Sequence, residues 1–192
     1  DVLFKYHAAC YMTHSTIEAI HAIHKKARIN SSEIEKIEIS VVTGCRDVCG
    51  IPTPNTGLEG KFSVQYCVAR AINDGALRLA HFEDTAANDA TVQQLMPEIR
   101  IEPGVPRESE ERLAVRVEIT TRDGSTHNWR VEEAVGTGGA RSPIPNTDFR
   151  AKFEDCCTRV ISADSTDRLY SLCSDLESVP NVSELTNVVA EG

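Results

Sequence analysis

The chain has 192 residues, of which 41% are hydrophobic and 26% charged, the balance of an ordinary globular protein with room for one full domain or one domain and an appendage. Its net charge of -9 repels phosphate backbones, and no stripe of Lys and Arg interleaved with aromatics offsets that field, which argues against nucleic-acid binding. No run approaches the ~18 apolar residues of a membrane span, so an integral membrane protein is excluded as well. A small anionic substrate stays open, because a few local cations can dominate a pocket. The opening Asp1-Val2-Leu3-Phe4-Lys5 carries neither an initiator Met nor an export signal, and the chain is expected to begin inside a longer polypeptide.

Thr13 to Ala27 has the spacing of a helix. Ile17, Ile20, Ile23, His24 and Ala27 fall on one face, Thr13 or Ser15 is placed to cap its start, and Asn30-Ser31-Ser32 closes it. Lys36 to Val42 alternates, with Ile37, Ile39 and Val41 on one side, and is predicted to be a half-buried strand. Cys45 and Cys49 follow. They have no second ligand pair at a zinc spacing, so a metal there is disfavoured. The seven cysteines are odd in number and two of them are adjacent, which suits reduced thiols of a cytoplasmic protein better than a disulfide framework.

Gly50 to Gly60, with Pro52, Pro54, Asn55 and Gly57, is predicted to be a loop. Lys61 to Asn73 is apolar nearly all round, the mark of a buried helix, and Asp74-Gly75 ends it. Shorter helical stretches are expected over Ala76 to Phe82 and Ala90 to Met96, and a short strand at Ile99 and Ile101. Leu113, Val115, Val117 and Ile119 then alternate with polar residues, as do His127, Trp129 and Val131. A two-residue turn on Asp123-Gly124 would place these apolar sets on opposite faces. One extra residue, with Gly124 in the left-handed conformation, sets Ile119 across from His127 and Val117 across from Trp129.

Val135 to Asn146 is a Gly/Pro break, after which only helices are expected: Asp148 to Ile161, capped by Asn146 or Thr147, then Ser165 to Glu177 and Val182 to Val189. The fold class is therefore α+β, a small mixed sheet packed with helices, followed by an all-helical tail. The divisions fall at 1–133, 134–146 for the linker, and 147–192.

The residues able to carry chemistry gather near the start. Lys5, His7, Cys10, His14, His21 and His24 lie within one short stretch. His14 and His21 share a helix side but stand about two turns, ~10.5 Å, apart, too far to hold one metal ion. By residue type alone, His21 and His24 are edge-of-core side chains, Lys5 and Lys61 solvated lysines, and Tyr66 a packed core tyrosine with a bonded hydroxyl. His14 stands out because a helix amino end favours anions and a lysine near it adds charge.

Three stretches in order give a resemblance. The string Phe4-Lys5-Tyr6-His7-Ala8-Ala9-Cys10-Tyr11-Met12-Thr13-His14, running into Ile17-Glu18-Ala19, resembles the start of the second domain of the MmgE/PrpD family. Pro52-Thr53-Pro54 with Glu59-Gly60-Lys61-Phe62-Ser63 through Tyr66 is similar to a second signature of that family. Pro143-Ile144-Pro145 through Asp148 to Phe153 and Cys156 is similar to a third. His7 replaces an aromatic residue of many relatives, and Glu18 an Asp.

The resemblance implies a carboxy-terminal portion of a metal-independent, cofactor-free lyase or isomerase of small polycarboxylates. The activities of the family are 2-methylcitrate dehydration, cis-aconitate decarboxylation and iminodisuccinate epimerisation. It further implies that 1–133 is an α+β lid and that 147–192 rejoins a helical domain whose amino-terminal half lies outside this sequence. The full-length protein would be a homodimer, and the isolated chain inactive. Lys5, His14 and Tyr66 become the catalytic candidates, and Lys5, His7 and Lys61 the substrate-binding ones. Proton removal beside a carboxylate creates negative charge that cations and donors must stabilise, a role for Lys5; His14 is suited to moving the proton and Tyr66 to donating a hydrogen bond. The competing expectation is a non-enzymatic α+β module that binds an anionic metabolite or a protein partner. Apolar tail positions such as Phe149, Phe153 and Leu172 bear on that choice, since without a helical domain they need other cover.

Overall fold

The computed structural model describes residues 4–75, 77–104, 113–135 and 143–190. They form two compact units that divide between Ile144 and Pro145. Of the expected Gly/Pro linker, residues 136–142 lie outside the described residues, as do the first three residues of the chain.

The first unit is built on a four-stranded mixed sheet in the order β2-β1-β3-β4. Its strands are β1 (Ile34–Val41), β2 (Ile99–Pro103), β3 (Val115–Thr121) and β4 (Thr126–Val131). β1 runs parallel to β2 and antiparallel to β3, and β3 runs antiparallel to β4. The alternation in sequence sets the faces: Ile37, Ile39, Val117 and Ile119 are fully buried, while Lys36, Glu38, Arg116 and Glu118 lie on the polar side. Two long helices, α1 (His14–Ala27) and α4 (Val64–Asp74), pack on each other and on the sheet. Ile17, Ile20 and Ile23 of α1 are buried as expected, but His24 is exposed at the edge of the stripe. Among the described residues no helix is long and apolar enough to cross a membrane.

The hairpin follows the predicted register. Ile119 faces His127, Val117 faces Trp129, and the Thr121 N–H bonds the Ser125 carbonyl at 2.9 Å around a three-residue turn. Gly124 closes that turn at φ +85°, where a side chain is strained. Gly124→Ala is therefore expected to cost about 1 kcal/mol in urea unfolding without altering the fold.

Several boundaries differ from expectation, each for a local reason. A 3-10 turn over Tyr11–Thr13 runs directly into α1, so the helical stretch begins after Cys10, and Thr13 donates to the Cys10 carbonyl at 2.8 Å instead of capping. α2 (Thr43–Cys49) was not anticipated, because seven residues with a glycine among them show no periodicity. The expected loop contains a one-turn helix, α3 (Gly57–Gly60), held by a reciprocal cap between Thr56 and Glu59. α4 starts at Val64 rather than Lys61, because the Ser63 hydroxyl accepts the Tyr66 N–H at 3.1 Å. Two short helices, α5 (Asp84–Ala87) and α6 (Ala90–Leu95), lead to β2.

The second unit consists of helices α7 (Asn146–Cys157), α8 (Ala163–Ser174) and α9 (Ser183–Ala190). Pro145, not Asn146 or Thr147, precedes α7, and Ser162 caps α8. The Phe153 and Tyr170 rings pack edge to face at 5.2 Å between α7 and α8, and the Arg150 guanidinium lies 4.2 Å above Tyr170.

Candidate active site

The segment from Phe4 to Cys10 folds back along the start of α1, and a bond from the Cys10 N–H to the Lys61 carbonyl at 2.9 Å holds it there. Its consequence is that His7 drops between two histidines of the helix. The His7 ring lies 5.1 Å from His14 and 5.8 Å from His21, edge to face with both. Sequence spacing places His14 and His21 two turns apart; the third imidazole that bridges them comes from outside the helix.

His14 is fully buried, and neither of its ring nitrogens closes a hydrogen bond in good geometry, although backbone groups of Ala9 and His7 approach the ring. Burial drives its pKa down to about 3, the nearby His7 adds to the effect, and backbone groups of Ala9 and His7 offset part of it. At neutral pH His14 is therefore an uncharged imidazole, able to donate from one nitrogen and accept at the other. Ser15 and Thr16 beside it are also buried with unpartnered hydroxyls. Buried polar atoms normally find partners, so these three consecutive residues leave the start of α1 with spare hydrogen-bonding capacity.

Lys5 is exposed and acts electrostatically on His14, Cys10 and Cys49. A lysine charge and the positive end of a long helix thus converge on one place, an arrangement suited to carboxylates. His7 is 2% exposed, and its Nε2 lies 3.6 Å from a Glu18 carboxylate oxygen. His21 is engaged differently: its Nε2 bonds the Gly75 carbonyl at the end of α4, the satisfied edge-of-core role that its residue type suggested. Burial, then His7, lowers its pKa.

Tyr66 and Lys61 belong to a second group around Phe82. The Tyr66 ring packs at 5.9 Å against Phe82 and beneath Gly60, where a Cβ would come within 2.9 Å of the ring. Its hydroxyl donates to the His81 carbonyl and accepts from Arg70 Nε at 3.2 Å, and Arg70 in turn reaches Asp74 at 3.0 Å and the Ala86 carbonyl at 2.6 Å. Burial raises the phenol pKa and Arg70 partly offsets this, so the hydroxyl stays protonated. By residue type Tyr66 is a packed core tyrosine with a bonded hydroxyl, and the geometry has that form; the donor role implied by the resemblance meets a hydroxyl already bonded twice within the protein, because Arg70 one turn along α4 is itself buried and needs an acceptor. Lys61, expected to bind substrate, supplies its carbonyl to Cys10 and places its ammonium 5.9 Å from the Phe82 ring. Tyr66→Phe is expected to lower the unfolding free energy by about 1–3 kcal/mol in a urea titration, by stranding Arg70 and the His81 carbonyl.

Sequence reasoning also passed over the setting of Cys10. Its thiol meets the Met12 N–H at the head of the helix and lies against Cys49, with Cys45 and Cys67 next to that pair. Burial pushes the Cys10 and Cys67 thiols up, keeping them protonated. No local pattern signals this grouping, since Cys10, the Cys45–Cys49 pair and Cys67 come from three separate segments. Among the described residues no set of three or more His, Cys, Asp or Glu side chains has the arrangement of a metal site.

The family profile of the MmgE/PrpD C-terminal domain matches residues 7–177, beginning at His7 and two residues after Lys5. Cis-aconitate decarboxylase of Mus musculus is 26% identical over 198 residues, an alignment covering 98% of this chain and 39% of that protein. The Homo sapiens cis-aconitate decarboxylase is 24% identical over 195 residues, covering 98% of this chain and 40% of that protein. The chain thus spans about two fifths of the length of the curated relatives it matches. Because the profile runs across nearly all of the first unit and about two thirds of the second, and takes in the buried histidines, the chain belongs to the MmgE/PrpD family as its C-terminal domain.

Proposed function

We propose that this chain forms one wall of the active site of a lyase or isomerase that removes a proton next to a carboxylate in a small polycarboxylate. The observation that carries the proposal is the fully buried His14 at the head of α1, without a hydrogen bond in good geometry and within the field of Lys5. A histidine kept only for packing would close a hydrogen bond in good geometry, as His21 does and His14 does not. In this reading Lys5 clamps a substrate carboxylate as a point charge. The neutral His14 ring then either accepts the proton or donates to the oxygen where charge develops. An incoming polyanion favours the protonated ring, so substrate itself raises the basicity of His14 from its low resting value.

The relatives' name points to tricarboxylates of the cis-aconitate type as the first substrates to assay, with 2-methylcitrate as the dehydration counterpart. The remaining walls, and the rest of the catalytic groups, would come from parts of the protein beyond this domain, and the chemistry proposed needs no metal or cofactor. The test is direct. The full-length protein is expected to turn over one of these acids, and the 192-residue chain alone none of them. Robust turnover by the chain alone would refute the one-wall assignment.

A further inference from the structure

A general base at a fully buried position has to return its proton to water, and His14 has no direct path. Its neighbours supply one. His7, in edge contact at 5.1 Å, is 2% exposed, and from that separation a ring rotation brings two imidazole nitrogens to about 2.9 Å, within hydrogen-bond range. On its other side His7 Nε2 faces Glu18 at 3.6 Å, and the Glu18 side chain is 24% exposed. His21 also touches His7, but its Nε2 is held by the Gly75 carbonyl.

We propose that His7 and Glu18 are a proton relay between His14 and solvent, an inference that rests on His14 as the proton-transfer group. The imidazolium N–H of His14 passes its proton to the free nitrogen of His7. His7 gives up the proton on Nε2 to the Glu18 carboxylate, Glu18 releases it to water, and a flip of the His7 ring restores the tautomer with N–H toward Glu18 for the next transfer. Only N–H and O–H bonds are exchanged, and each group returns to its starting charge. The other titratable groups facing His7 are Tyr6 on its own segment and His14 and His21 on α1, and Lys5 acts on His14 from the same segment. On α4, which packs against α1, Asp74 is turned to Arg70 and His81 instead. On β4, packed on the far end of α1, Trp129 receives Lys26. Glu18 is thus the carboxylate placed to take the proton.

Both residues are positioning residues, and the test reads proton movement rather than stability. In the 192-residue chain labelled with 15N-histidine, exchange of the His14 ring N–H with water is followed by NMR alongside the backbone amides of α1. Glu18→Gln and His7→Phe are each expected to slow ring exchange by about ten-fold or more while the amides keep their rates. Unchanged ring exchange in both variants overturns the relay. Should His7→Phe disturb the α1 amides, the partly exposed Glu18→Gln decides by itself. In the full-length enzyme Glu18→Gln is expected to lower kcat with KM unchanged, and added imidazole to restore part of it. Slowed ring exchange in an enzyme indifferent to His14→Gln leaves the relay standing and removes the catalytic assignment of His14, so the two failures are separable.

Discussion

Replacing His14 by glutamine in the full-length protein is expected to lower kcat/KM by about 10²–10⁴-fold, the range for loss of a positioned acid or base. Steady-state assays with a tricarboxylate substrate, paired with urea unfolding of the same variant, check this. The pairing matters because of how His14 is held. Its two ring nitrogens are buried with only weak approaches from the Ala9 and His7 backbone, so the ring adds little to the fold, and an apolar replacement of similar size, His14→Leu, is expected to change stability by less than about 1 kcal/mol while abolishing turnover. A histidine retained for packing gives the opposite pattern, with stability lost and activity falling only in proportion.

The second large effect is on acid stability. The His14 pKa is pushed from an ordinary value near 6.5 to about 3 in the folded chain. Between those values the unfolded chain binds a proton that the folded chain does not, so stability falls as pH falls. The contribution is fully present above pH 6.5 and disappears progressively toward pH 3. Within that window the slope approaches about 1.4 kcal/mol per pH unit, a few kcal/mol in all. His21, also lowered by burial, acts in the same direction. Urea unfolding of wild type and His14→Gln at several pH values between 7 and 4 is expected to show the variant gaining on wild type at each step down. Parallel curves would mean that the buried ring is already protonated or relaxes to meet solvent.

How far the sequence foretold this can be argued residue by residue. The sheet was legible because β1 and the hairpin alternate cleanly, and a single geometric requirement, apolar sets on one face, was enough to place Gly124 at the left-handed turn position. α1 was legible through Ile17, Ile20 and Ile23. α2 and α3 were not, since a seven-residue helix and a single turn are too short for periodicity and depend on caps and tertiary contacts. The setting of His14, at a helix start near Lys5, could be read from the sequence. The approach of His7 to His14 and Glu18 could not, because it arises from a fold-back fixed by the Cys10 to Lys61 backbone bond, and nothing local in either segment encodes that bond. The same limit applies to Tyr66, whose hydroxyl partners are set by a buried Arg70 one turn along the helix and by a carbonyl fifteen residues away.

The account comes down to whether a carboxylate is held at the head of α1. A crystal structure of the full-length protein with a bound tricarboxylate answers that most directly. A substrate carboxylate within ion-pair distance of Lys5 Nζ, and an oxygen or the reacting carbon against the His14 ring, is the expected result. A ligand bound elsewhere, with Lys5 in solvent and the His14 ring still without a partner, would contradict it.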